Sequence, residues 1–257
     1  MGELRFYHAL VLGYPVLAGV VAMLLLFITV PYGRHNTGAG KKSGWGPQVG
    51  SRFGWLLMEV PASLAPIFFF ALGERRDALT WVFLFLWQLH YVHRAFIFPF
   101  RRRGGVASMP LLIALLGLLF NLINAYLNWR YLTHFAPPYP DSWWGDPRFL
   151  LGVLFFLIGF YVNRHADWVL IRLRRPGETG YKIPYGGLYR LISCPNYFGE
   201  ILQWCGWALC TFSLAGFGFA VWTAANLVPR ALAHHRDYRS RFTNYPRERR
   251  AVFPFLL

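Results

Sequence analysis

The chain has 257 residues, of which 56% are hydrophobic and only 14% are charged. Soluble domains carry about 25% charged residues, so the composition excludes an ordinary soluble domain and indicates a membrane protein. The formal net charge is +15. Because the basic residues lie between apolar runs rather than on one soluble face, they favour anionic lipid or a phosphate-bearing cofactor over nucleic acid.

Apolar runs along the chain predict the fold class. A bilayer core of about 30 Å needs roughly 20 apolar residues per helix. The runs that meet this requirement are 7–30, 52–72, 79–100, 108–132, 147–171, 197–213 and 214–234. The sequence therefore predicts an all-α polytopic membrane protein with seven transmembrane helices, forming a single domain over residues 1–257 whose cofactor-binding half is about 147–257.

The connections between these runs alternate in charge. Arginine and lysine cluster after the first, third, fifth and seventh runs, whereas the connections after the second and fourth are close to neutral. Basic residues concentrate on the cytosolic side of membrane proteins. The pattern predicts an N-terminus outside and a C-terminal tail in the cytosol.

Two polar residues in the apolar runs are candidates for chemistry. Glu59 lies in the second run, just before Pro61, which predicts a kink in that helix. A charge in hydrocarbon costs at least about 2.5–3.5 kcal/mol, so it needs a reason. Tyr91 lies in the third run and, with a carboxyl partner, could donate a hydrogen bond to a substrate carbonyl. A structural hydrogen bond for Glu59 and an interfacial tyrosine at position 91 are the alternatives.

Later runs carry further polar faces. Asn163, Asp167 and Arg174 are separated by four and seven residues, which predicts that all three share one helix face. Asn196 lies on a second polar face that opens the sixth run. Amides and carboxylates can hold ribose or nicotinamide groups, and arginine can grip phosphate. The alternatives are a solvated cytosolic helix end and a capped helix with polar packing.

The tail continues this basic and aromatic character. Arg230, His234, Tyr238 and Arg241 follow one another at spacings of four, four and three. They could lie on anionic headgroups or close over cofactor phosphates. The chain has no G-x-G-x-x-G or P-loop motif, so a bound dinucleotide would not lie on a Rossmann fold. Its three cysteines have no spacing typical of a disulfide framework or a zinc site, and no metal is expected.

Several stretches together resemble the steroid 5α-reductase family, most of all its type 2 branch, and the chain is expected to be a bacterial member. The matching stretches are Pro31 to His35, Met58 to Pro61, Leu89 to Arg94, Leu173 to Glu178, Ile183 to Leu188, Asn196 to Glu200 and Arg230 to Pro254. The resemblance implies NADPH-dependent reduction of the Δ4 bond of a 3-oxo-Δ4 steroid or a related enone lipid. The expected location is the cytoplasmic membrane of a bacterium or the endoplasmic reticulum of a eukaryote, with the cofactor on the cytosolic side.

The resemblance also assigns site residues. It implies that Glu59 and Tyr91 hold the substrate ketone and that Trp55 and Trp204 wall the steroid pocket. The residues that it places at the cofactor are Arg94, Arg103, Asn163, Asp167, Arg174, Asn196, His234 and Tyr238.

Two departures from the family pattern fall near the cofactor. The sequence reads Arg102-Arg103-Gly104-Gly105 where the family has Asn-Arg-Gly-Arg, and Phe98 replaces a tyrosine. Two other functions stay open. Cys194 to Gly199 resembles the His-Pro-x-Tyr-x-Gly element of isoprenylcysteine methyltransferases, which use S-adenosylmethionine, and a non-catalytic sterol-binding protein would show the same apolar runs.

Overall fold

The fold, a computed structural model, is described for residues 2–31, 45–101, 108–174, 178 and 180–257. Most of these residues are helical, which confirms the main part of the all-α prediction. Arg103 and the family-like segments 32–35 and 102–105 lie outside the described residues. The helices are α1 (Gly2–Phe27), α2 (Ser51–Leu72), α3 (Ala78–Val92), α4 (Phe98–Arg101), α5 (Leu111–Ala125), α6 (Pro147–Arg172), α7 (Pro195–Thr211) and α8 (Leu214–Arg241).

Two π-helical segments join or extend α-helices into longer continuous helices. His93–Ile97 joins α3 to α4, and Tyr126–Phe135 extends α5. With these joins, the helices in the described part of the chain coincide with the seven predicted apolar runs to within several residues. Two three-residue strands, Gln48–Gly50 and Ser108–Pro110, pair antiparallel. The sequence did not predict this small sheet, because strands so short leave no periodic pattern.

Within the described ranges, four helical segments are long and apolar enough to cross a membrane. They are Gly2–Phe27, Ser51–Leu72, Leu111–Phe135 and Pro147–Arg172. Many of their leucine, isoleucine and phenylalanine side chains are exposed. Exposed apolar surface on this scale is costly in water and ordinary in lipid. The chain is therefore an integral membrane protein.

The chain divides into two compact units. Unit 1 comprises Met1–His8 and Val30–Asp141, and unit 2 comprises Ala9–Thr29 and Ser142–Leu257. Each unit is described by itself below. Unit 1 contains α2 to α5, and unit 2 contains α6 to α8.

Prolines in α2 shape the packing inside unit 1. The helix continues through Pro61 and Pro66. Because proline has no backbone N–H, Pro66 leaves the carbonyl of Ala62 without its usual helical donor. The indole Nε1 of Trp87 on α3 donates to that oxygen at 2.8 Å. This bond satisfies a carbonyl that lipid could not satisfy and locks α3 against α2.

Unit 2 is built on a close contact between α6 and α7. Gly152 and Gly159 on α6 face Gly199 and Gly206 on α7, and a Cβ at any of the four would overlap backbone atoms of the other helix. Small residues at such positions let two helix backbones approach closely in a membrane. The seven-residue spacing on both helices keeps this contact on one face over two turns.

Candidate functional site

Glu59 belongs to an electrostatic cluster in unit 1. Its carboxylate Oε1 lies 3.8 Å from Nε of Arg94, and both side chains are largely buried, with 14% and 18% exposed. The guanidinium of Arg94 lies over the rings of Trp55 and Phe98, at 4.6 and 5.1 Å from their centroids. Trp55 also donates its indole N–H to the Arg94 carbonyl at 3.0 Å. The cluster compensates a charge on α2 with one on the π-helical segment that follows α3.

Tyr91 is buried on α3, with 4% of its surface exposed. Its ring stacks on Trp87, with centroids 5.1 Å apart, and meets His90 edge-on at 4.9 Å. The indole of Trp87 is itself fixed by its hydrogen bond to the Ala62 carbonyl. The ring of Tyr91 therefore packs on one side against an immobile side chain. A residue held this way loses little further freedom when it binds a ligand.

The contacts between α2 and the α3 region define a register. On one side of Glu59, Trp55 bonds to Arg94. On its other side, Ala62 accepts from Trp87. Along this pair of contacts the residue numbers increase on α2 and decrease on α3, so the two helices run antiparallel. Interpolating between the two contacts places Glu59 and Tyr91 at the same level along the helix pair.

The predicted polar faces of α6 and α7 meet inside unit 2. The amide Nδ2 of Asn163 donates to the carbonyl of Asn196 at 3.0 Å and to Oε2 of Glu200 at 3.3 Å. The amide of Asn196 donates to Oδ1 of Asp167 at 3.4 Å, and Arg164 lies 3.9 Å from Oδ2 of the same carboxylate. Asn163 and Asp167 are each 3% exposed. The glycine contacts of α6 and α7 make this cluster possible, because longer side chains would hold the two helices apart.

Arg174 does not share the helix face of Asn163 and Asp167, and that prediction was wrong. Helix α6 ends at Arg172. Pro176 explains the end, because proline clashes with the carbonyl four residues before it and disfavours helix in the residue that precedes it. The guanidinium of Arg174 lies 5.3 Å from the ring of Tyr181, and that of Arg241 lies 5.1 Å from the same ring.

The other predicted residues of unit 2 lie on α7 and α8. His234 Nε2 is 3.1 Å from the hydroxyl of Tyr197. Tyr238 is buried and stacks on Tyr245 with centroids 5.3 Å apart. Trp204 is 1% exposed in the helical core. Its neighbours there are Phe156, Trp207 and Phe219.

Two buried features of unit 2 were not predicted from the sequence. Ser193 Oγ lies 2.6 Å from both His235 Nδ1 and the hydroxyl of Tyr245. Arg249, 3% exposed, lies against the rings of Tyr185 and Tyr245 and donates to the Pro184 carbonyl at 3.0 Å. No local pattern marks either feature, because their members are brought together only by the return of the C-terminal segment.

The groups in unit 2 fit a dinucleotide chemically. Amides and a carboxylate suit ribose hydroxyls and a carboxamide, and arginine suits phosphate. The buried Nε of Arg174 has no hydrogen-bond partner among the described residues, so it retains a donor for an anionic ligand. The residues present are therefore compatible with a nicotinamide dinucleotide.

Fold and site together define a helical, membrane-embedded protein with two clusters of buried polar groups, one in each unit. The family model described as 3-oxo-5-alpha-steroid 4-dehydrogenase matches residues 107–257. The chain belongs to this family of oxidoreductases, as its sequence motifs predicted.

Curated relatives match over most of the chain. The chain is 43% identical to 3-oxo-5-alpha-steroid 4-dehydrogenase 1 of Bos taurus over 245 residues, with 93% of each chain covered. It is 41% identical to a steroid 5-alpha-reductase of Arabidopsis thaliana, with 91% of this chain and 90% of the relative covered. The human 3-oxo-5-alpha-steroid 4-dehydrogenase 1 is also 41% identical, with 88% and 85% covered. The closer likeness to the type 2 enzyme and the bacterial origin stay predictions.

Proposed function

We propose that this protein reduces the Δ4 double bond of 3-oxo-Δ4 steroids, or of a related enone lipid, to the 5α product with NADPH. Family membership and the names of the relatives support the reaction class. The observation that carries the proposal is a buried tyrosine, Tyr91, held at the level of Glu59 in a membrane protein of this family.

Tyr91 is the proposed hydrogen-bond donor to the substrate ketone. As charge develops on that oxygen, a fixed donor in a site of low dielectric stabilises it, and one such donor contributes about 2.7–4 kcal/mol to lowering the barrier. The polarised enone becomes electrophilic at its β-carbon. Glu59 is proposed to orient the phenol, and Arg94, 3.8 Å from the Glu59 carboxylate, to fix the position of that carboxylate. Hydride addition at the β-carbon would leave an enolate, and the α-carbon of that enolate would then take a proton from water.

Unit 2 is proposed to bind the cofactor. Asn163, Asp167 and Asn196 offer amide and carboxylate groups from the contact between α6 and α7. The proposed remaining contacts are Arg174, His234, Tyr238, Arg94 and Arg103. When bound, NADPH supplies the hydride. Trp55 and Trp204 are proposed to wall the steroid pocket, and the aromatic surroundings would keep water from the reacting atoms.

The proposed topology has seven membrane-spanning helices. The four helical segments that are long and apolar enough to cross a membrane and the alternation of basic and neutral connections in the sequence support it. In this arrangement the N-terminus lies outside and the tail lies in the cytosol with the cofactor. The membrane is the cytoplasmic membrane in a bacterium and the endoplasmic reticulum in a eukaryote.

The test is an assay of purified protein in lipid nanodiscs with testosterone and NADPH, in which the product is followed by mass spectrometry. We expect a 5α-reduced product that gains two hydrogens. If no product forms with testosterone and NADPH, and the protein binds S-adenosylmethionine, the methyltransferase alternative would replace the proposal. If the protein binds sterol but reduces none of a series of enone lipids, the result would favour a non-catalytic sterol-binding protein.

Replacing Tyr91 by Phe tests the site itself. We expect kcat/KM to fall about a hundredfold or more, because one donor to a developing oxyanion is lost, while NADPH binding by titration stays unchanged. The matched control is Tyr131→Phe, since Tyr131 is a partly buried tyrosine of the same unit that stacks on Tyr7. Equal turnover of Y91F and wild type would refute the role of the phenol.

A further inference from the structure

The outward face of α6 changes character along its length. Its first turns expose apolar side chains, which are Leu150, Leu151, Leu154, Leu157 and Ile158. The same face continues with Tyr161, His165, Trp168 and Arg172, at spacings of four, three and four residues. A stripe of the kind that faces lipid therefore turns into an aromatic and cationic one near the end of the helix.

These four side chains, here called the α6 ladder, stack on one another. The ring centroids of Tyr161 and His165 lie 6.1 Å apart with an interplanar angle of 26°. Those of His165 and Trp168 lie 6.0 Å apart with an angle of 27°. The guanidinium of Arg172 lies 4.1 Å from the Trp168 ring. Tyr161 is 68% exposed and Trp168 is 41% exposed. The ladder is thus ordered by its own contacts and by Gly187, which lies against His165, while the rings of Tyr161 and Trp168 stay exposed.

The charges at the ladder are arranged for an anion. Arg164, one residue off the ladder, is paired with Asp167. Arg172 forms no ion pair with any residue that the structure describes. Its guanidinium is held by the Trp168 ring, so two edges of the planar fork can meet phosphate oxygens. An ordered cation that no described acid pairs with therefore lies at the end of a lipid-facing stripe.

We propose that the α6 ladder binds the phosphate headgroup of an anionic phospholipid. Helix α6 is one of the helices apolar enough to span the bilayer, and tryptophan and tyrosine favour the headgroup level. Trp168 and Arg172 are four residues apart, which is about 6 Å along a helix. One headgroup layer is about 5–8 Å thick. With Trp168 at the hydrocarbon edge, Arg172 reaches the phosphates, and the exposed ring of Tyr161 contacts the upper part of the acyl chains.

The experiment measures lipid retention. Purified protein is equilibrated in nanodiscs of phosphatidylcholine with a minor fraction of phosphatidylglycerol, and lipids that stay bound after gentle extraction are counted by native mass spectrometry. We expect wild type to enrich phosphatidylglycerol and R172Q to lower that enrichment about fivefold. W168L should lower it as well, because the ring that orients Arg172 is lost. The matched control R190Q removes one exposed arginine of the same unit outside the ladder and should bind as wild type does.

Several outcomes would overturn the proposal. They are equal enrichment by R172Q and wild type, an equal loss in R190Q, or displacement of the lipid by inorganic phosphate, which would indicate a site for free anions. Thermal unfolding of each variant shows that it is folded. The variant R172K keeps the charge and should retain part of the enrichment, so a loss in R172Q cannot be assigned to misfolding alone.

Discussion

At the scale of single residues, Arg94 shows what the structure adds. The sequence resemblance assigned it to the cofactor, and the structure pairs it with Glu59, at 3.8 Å. Two charges in a membrane protein stabilise each other only if they lie close and keep their remaining contacts. The guanidinium of Arg94 makes such further contacts with the aromatic rings of Trp55 and Phe98. We therefore regard Arg94 as a residue that positions Glu59, besides any contact with a cofactor.

Trp87 is predicted to position Tyr91. The variant W87F keeps a ring against Tyr91 but removes the donor to the Ala62 carbonyl, which Pro66 leaves without a helical partner. The free energy of unfolding should fall by about 1–3 kcal/mol, because a buried acceptor is left unsatisfied. The measurement is the thermal unfolding midpoint together with kcat, which we expect to fall severalfold while NADPH binding is kept.

The control for this variant is Trp81→Phe on the same helix. Trp81 is 55% exposed, so its replacement should change neither stability nor turnover appreciably. If W87F unfolds at the same temperature as W81F and turns over equally fast, the bond to Ala62 has no role in holding the tyrosine.

At the scale of helices, the contact between α6 and α7 positions the polar cluster of unit 2. Asn163 lies four residues after Gly159, and Asn196 lies three before Gly199, so the polar bonds continue the glycine contact by about one turn. Glycine is required here for space and not for backbone conformation, since all four glycines are helical. The polar groups meet because nothing larger separates the helices.

Gly159→Ala is predicted to destabilise unit 2. Its Cβ would overlap the backbone of Gln203 and Gly199, which cannot move as a flexible side chain can. Overpacking of this kind costs about 1–3 kcal/mol, so the unfolding midpoint should fall and cofactor binding should weaken with it. Gly19→Ala in α1 is the matched control, since no atom lies within 4 Å of the added carbon. An unfolding midpoint for G159A as high as that of G19A would contradict the close contact of the two backbones.

At the scale of whole chain segments, the C-terminus returns to the start of α7. The backbone of Ser193 donates to the Arg250 carbonyl at 2.8 Å, and that of Arg250 donates to the Leu191 carbonyl at 2.9 Å. The hydroxyl of Ser193 adds contacts to His235 on α8 and to Tyr245. Three stretches far apart in the sequence are thereby joined around one buried serine.

This junction predicts a pH dependence of stability. Burial, followed by the charges of Arg239 and Arg250, lowers the pKa of His235, which lies beyond the apolar run 214–234. The unfolded chain therefore takes up its proton at a higher pH, near 6.5, than the folded protein. Stability is fully present above that value and falls as the pH drops toward the lowered pKa of the folded state.

The measurement is the unfolding midpoint between about pH 8 and pH 5 for wild type and H235Q. Wild type should lose stability below about pH 6.5, and the variant should lose less over the same range, because glutamine does not titrate. If the two profiles run parallel, His235 is not the group responsible.

The amino-acid sequence was sufficient to predict the membrane class, the approximate positions of the helices and the family. These properties depend on local composition and on motifs such as Leu89 to Arg94, which are readable without knowledge of packing. It also predicted that polar faces around Asn163 and Asn196 exist, because helical spacing alone places residues on a face.

The partners of those polar faces became known from the packing of the helices. The pairing of Asn163 with Asn196, the bond from Trp87 to Ala62 and the junction at Ser193 each join residues more than 20 positions apart. Such contacts depend on which helices pack together and in what register, and no local pattern encodes that. Arg174 was placed on the face of Asn163 wrongly for a related reason: helical spacing was extended past the end of α6 at Arg172, where Pro176 disfavours further helix.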